Sequence, residues 1–155
     1  METRTGSLSD TPPAPRFPRT IKPELFEGQS EAWLAKAVGL NQFGVNHVTL
    51  NPGAYSSLRH WHEGEDEFVL VLTGEVVLID ENGEHRLEAG DYAGFPAGAP
   101  NAHHLANTSA GPASLLVVGT RKRGEDRIHY PDDGIGPFSV FRDENGVRIP
   151  SPQED

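Results

Sequence analysis

The chain contains no cysteine and a single methionine among 155 residues. Disulfide staples and thiolate metal sites are therefore excluded, and any metal would rest on imidazole and carboxylate donors. Basic residues are also scarce, with 13 Lys and Arg against 23 Asp and Glu and a formal net charge of −10. The densest basic cluster, Arg121-Lys122-Arg123, is followed closely by Glu125 and Asp126. A phosphate-neutralising face is missing, so neither a nucleic acid nor an anionic membrane is expected as a partner. No apolar run reaches transmembrane length, and residues 1–20 carry no apolar signal core. The expected location is the cytoplasm.

Helical periodicity is equally rare. It is confined to residues 24–40, around Trp33, Leu34 and Val38, with Gly39 as a stop. The abundant residues are 17 Gly and 13 Pro, beside a modest apolar fraction of 35%. That balance fits many short strands joined by turns. Strand-like segments begin at Phe43 and recur at 45–50, 68–72, 75–80, 85–87, 92–95, 101–107 and 113–121. Asn51-Pro52-Gly53, Asn82-Gly83, Gly90-Asp91 and Pro96-Ala97-Gly98 punctuate them with turn chemistry. Further strand-like pieces lie at 128–130 and 138–141. The pattern predicts an all-β sandwich or small barrel with a short N-terminal helical turn. We expect a flexible arm over 1–20, the barrel over 21–130 and a C-terminal extension over 131–155.

The chemistry-bearing stretch is His60-Trp61-His62. Side chains alternate faces along a strand, so two imidazoles two residues apart point the same way, about 7 Å apart. Trp61 then faces the opposite side. Glu67 follows after a bend at Gly64, and His103 lies on a later strand. His60, His62, Glu67 and His103 together offer three neutral nitrogens and one carboxylate. This set suits one divalent transition metal (Zn, Mn, Fe, Ni, Co or Cu) better than Ca or Mg. His-x-His alone is a weak signal, and the acidic run Glu63, Glu65, Asp66, Glu67 also reads as a solvated loop. His47, His85 and His129 stand alone and read as surface or satisfied core residues. No general base is evident. Tyr55 and Tyr92 are near in sequence, but a core or rim role fits each better.

The joint spacing resembles the two motifs of the cupin superfamily. The first places a glycine, His-x-His, a glutamate and a second glycine in order. Gly53, His60, His62, Glu67 and Gly74 match it, with four residues between His62 and Glu67 and six between Glu67 and Gly74. The second places Gly, Pro-x-Gly, His and Asn in order, and Gly90, Pro96, Gly98, His103 and Asn107 match. Four residues separate Gly98 from His103, a wider interval than the motif has, and Asn101 takes the position where strict spacing puts the histidine. The shift is even, so Asn101, His103, Leu105 and Asn107 should share one face and His104 the other. The choice between His103 and His104 as the fourth ligand stays open at this point.

The resemblance implies a double-stranded β-helix, or jelly roll, holding one metal. It implies a metalloenzyme (a dioxygenase, isomerase or lyase) acting on a small polar carboxylate, carbonyl or sugar. A non-catalytic small-molecule-binding or sensory module is the alternative. An inward Glu67 would turn Val69, Val71 and Thr73 inward and Phe68, Leu70 and Leu72 outward. That outward apolar stripe needs cover, and a homodimer is expected.

Overall fold

The computed structural model describes residues 2–14, 23–121, 126–133 and 135–138. Eleven strands dominate it. β1 (Gln29–Trp33), β2 (Phe43–Leu50), β4 (Glu67–Thr73), β7 (Tyr92–Phe95) and β9 (Ala113–Thr120) form one antiparallel sheet in the order β1-β2-β9-β4-β7. β5 (Glu75–Asp80), β6 (Gly83–Glu88) and β8 (His104–Ala106) form a second, ordered β6-β5-β8. β3 (Trp61–His62), β10 (Ile128–Tyr130) and β11 (Ile135–Phe138) form a third, ordered β11-β10-β3. A bridge between His60 and His103 joins the β3 and β8 edges. The second and third sheets thereby make one face of a jelly roll, opposite the five-stranded face.

Alternation along the strands builds the core. Val69 and Val71 of β4 are each 1% exposed, whereas Phe68 and Leu72 between and beyond them are 38% and 40% exposed. Val48, Leu50, Val76, Leu78, Leu105 and Leu115 close around the two valines. Thr73, expected to face inward, is exposed. The register between β4 and β9 shifts between Val71 and Thr73, and such an irregularity breaks the two-residue alternation at that end of the strand. Gly74 follows at φ +74°, and a Cβ there would lie 2.5 Å from the Pro112 carbonyl oxygen. Glycine is required at this motif position both for its backbone conformation and for the close approach of β9.

The motif asparagine is a clamp. Asn107 is 1% exposed; its amide nitrogen donates to the Leu50 and Gly111 carbonyls, and its Oδ1 accepts from the Ser109 backbone and hydroxyl.

The helix-like spacing near Trp33 yields only α1 (Leu34–Ala37), and the preceding residues form β1. β1 lacks a clear alternation of polar and apolar residues, and its strand state comes from full register with β2, Gln29 opposite Leu50 through Trp33 opposite Asn46. Within the N-terminal segment, Ala14 donates its N–H to the Glu31 carbonyl, and the Arg4 guanidinium donates to the Val38 carbonyl. At the other end β11 pairs with β10, and the strand-like piece expected at 138–141 lies outside the described residues beyond Phe138. No helix among the described residues is long and apolar enough to cross a membrane.

Candidate metal centre

Two strands and one bridge carry the four side chains singled out from the sequence. His60 precedes β3 and is bridged to His103, His62 ends β3, and Glu67 opens β4. Glu67 stands at the centre. Its Oε2 lies 3.4 Å from His60 Nε2 and 3.4 Å from His62 Nε2, and its Oε1 lies 2.9 Å from His103 Nε2. Ligands bonded at about 2.1 Å to one ion are separated by about 3.0 Å in an octahedron and about 3.4 Å in a tetrahedron. The observed separations fall on those edges. His60, His62 and Glu67 present donor atoms within 4.8 Å of one another and could hold a metal ion.

The histidine tautomers point the same way. His60 Nδ1 is 2.8 Å from the Leu58 carbonyl, His103 Nδ1 is 2.9 Å from the Asn101 carbonyl, and His62 Nδ1 is 2.6 Å from Asp126 Oδ2. A carbonyl or carboxylate can only accept, so each Nδ1 carries a proton. In a neutral ring this leaves the Nε2 lone pair directed at Glu67. Neutral imidazoles beside a carboxylate set lone pair against lone pair unless a cation lies among them. The donor set therefore fits a divalent ion on its own chemistry.

Without metal, a proton occupies that role. Burial pushes His62 down, but its hydrogen bonds to Asp126 and Glu67 outweigh this and push it up to about 10. Burial alone would raise Glu67, yet the surrounding histidines hold it well below the ordinary carboxylate range. His60 is driven below its usual value by burial, which exceeds the upward pull of Glu67.

His103 and His104 differ in their surroundings. His103 is 1% exposed, stacks on Phe95 at 3.4 Å between ring centroids and reaches Glu67. His104 pairs its Nδ1 with the Ser57 carbonyl and packs on Tyr55. Leu105 and Asn107 are buried with His103 as the alternation requires, whereas Asn101 commits its amide to the Glu81 N–H and to Asp80. Trp61 faces away from the centre and stacks on His129 at 4.0 Å. Tyr92 is 69% exposed.

Two residues near the centre escaped the sequence reading. Asp126 is 2% exposed and accepts from both His62 Nδ1 and the Gly64 N–H. Burial pushes its carboxyl up, and these bonds and the His62 charge hold it below its usual value. Tyr130 is 4% exposed with its ring 5.9 Å from that of His60; burial, then the charges of Glu67 and Asp126, push its phenol well above the usual value. Asp126 was visible only as a charge diluting a basic cluster, and no local pattern in the sequence ties it to a histidine 64 residues earlier.

Comparison with known proteins agrees with this architecture. The profile described as a cupin domain matches residues 46–119. A crystal structure of a sugar phosphate isomerase of the cupin superfamily from Silicibacter pomeroyi is 39% identical, with 95% of this chain and 97% of that one covered at a TM-score of 0.75. The chain belongs to the cupin superfamily. A protein from Acidithiobacillus ferrooxidans, named provisionally as a sugar phosphate isomerase, is 35% identical over 67% of this cupin and 65% of its own length at a TM-score of 0.64. The fold is shared with a Thermotoga maritima protein, named provisionally as an oxalate decarboxylase, at 26% identity over 72% of this cupin and 94% of that chain, with a TM-score of 0.57. No protein of curated function matches.

Proposed function

We propose that this cupin is a metal-dependent isomerase acting on a small polar molecule of the sugar class. The observation that carries the reading is the convergence of His60, His62 and His103 through Nε2 on Glu67, with every Nδ1 already engaged. The names of two relatives above 30% identity favour sugar isomerisation over oxidation or decarboxylation. A divalent ion held by these four residues would polarise neighbouring hydroxyl and carbonyl oxygens of a substrate. The interconversion of an aldose and a ketose is redox-neutral: one proton moves between adjacent carbons and one between their oxygens, so no second cofactor is needed. In that reading the chain's own contribution is positional. The Leu58 and Asn101 carbonyls and Asp126 hold the three rings, and Phe95 packs on one face of His103.

The test is direct. Protein loaded in turn with Zn, Mn, Fe, Co and Ni is incubated with aldoses and ketoses, phosphorylated and unphosphorylated, and followed by NMR. The expected result is metal-dependent interconversion of one sugar pair that is lost in His60→Ala. Metal uptake with no interconversion across the panel, together with a ligand-induced thermal shift, would favour a binding module instead.

A further inference from the structure

His60 and His103 are braced locally, each on the carbonyl two residues earlier in its own strand, Leu58 and Asn101. His62 has no such local brace. Its Nδ1 reaches Asp126, 64 residues away at 2.6 Å. Asp126 lies outside the segment matched by the cupin profile, 46–119. It is held in turn by the Gly64 N–H at 3.0 Å, and Glu65, 3% exposed, places Oε1 3.7 Å from the same His62 nitrogen. The chain that brings Asp126 in is tied along its length: Glu63 donates its N–H to the Arg127 carbonyl, Ile128 pairs with His62, and His129 stacks on Trp61.

We propose that Asp126, two residues before β10 and after the barrel motif, is the positioning residue that fixes the ring orientation and Nδ1–H tautomer of His62 and so sets the metal affinity of the centre. The inference rests on the metal reading above. A carboxylate behind a ligating imidazole locks the ring and increases its donor strength more than a carbonyl does, and loss of such a partner characteristically costs about 10–100-fold in affinity. The role is not a generic packing one. The side chain is small, two of its partners are a ligand's nitrogen and a backbone N–H beside that ligand, and its burial would be costly without them.

The experiment uses the full chain and cobalt as the probe. Wild type and Asp126→Asn are titrated with Co²⁺ against a chromophoric chelator, and the visible d–d spectrum is recorded. The expected result is an affinity 10–100-fold weaker in a folded Asp126→Asn, with an altered cobalt spectrum. A folded variant that binds cobalt within two-fold of wild type would overturn the proposal while leaving the metal reading intact. Absence of cobalt binding in wild type would instead remove the metal reading and this inference with it. A second measurement needs no variant: long-range proton–nitrogen NMR of zinc-loaded wild type is expected to show His62 protonated at Nδ1 with a strongly downfield proton. A proton on Nε2, or an ordinary exchangeable Nδ1 signal, would overturn the proposal.

Discussion

His103 Nε2 lies 2.9 Å from Glu67 Oε1, while the neighbouring His104 turns its ring to Tyr55 and the Ser57 carbonyl. Two adjacent histidines therefore differ in surroundings. His103→Ala is expected to abolish stoichiometric metal uptake, and His104→Ala to leave it unchanged, as read by elemental analysis of protein purified without a His-tag. His103→Ala should also destabilise the fold by about 2 kcal/mol or more, because it opens a cavity against Phe95.

The metal-free protein should be most stable near pH 6.5. Glu67 and Asp126 have depressed values in the folded state, so their contribution is present above the ordinary carboxylate value of about 4 and is lost as pH falls below it. His60 and His104 are also held low, which removes stability as pH falls below about 6.5. His62 is raised to about 10, so its contribution is complete below about 6.5 and is lost as pH rises toward 10. Urea melts of chelator-treated protein from pH 4 to 10 should trace both limbs. Asp126→Asn should flatten the alkaline one, and an alkaline limb unchanged in that variant would contradict this account of His62.

Gly74→Ala is expected to destabilise by about 2 kcal/mol or more. The new methyl would meet Pro112 oxygen at 2.5 Å and Ala113 Cα at 2.9 Å, both backbone atoms, at φ +74°. Gly83→Ala is the contrast, since a Cβ there meets nothing within 4 Å and only its φ of +111° opposes it. Thermal melts of the two variants should rank Gly74→Ala as clearly the more damaging.

The outer side of the five-stranded sheet is expected to pair with a second copy. Phe68, Leu72 and Tyr92 are 38%, 40% and 69% exposed, and the Phe68 and Tyr92 rings stack at 5.8 Å. Exposed aromatic and aliphatic groups on adjoining strands are of the kind that marks an interface. Light scattering at micromolar concentration should give twice the protomer mass, and Phe68→Asp should give one. A wild-type mass of one protomer would end this expectation.

Much of this protein was written in local pattern. Turn residues and alternating apolar runs determined nearly every strand from Phe43 to Thr120, because a strand with one buried face must repeat every two residues. The shared face of His60 and His62 follows from the same rule, and the even offset to His103 placed it on one face with Leu105 and Asn107, which are buried with it. β1 was not legible, since its state depends on pairing with β2 and not on its own pattern. Thr73 departed from alternation because an irregular register next to Gly74 re-aims the chain end. Asp126 was decided by tertiary structure alone: a single carboxylate acquires a partner only when strands β3 and β10 are laid side by side, and contacts between residues far apart in the chain leave no periodic trace in one sequence.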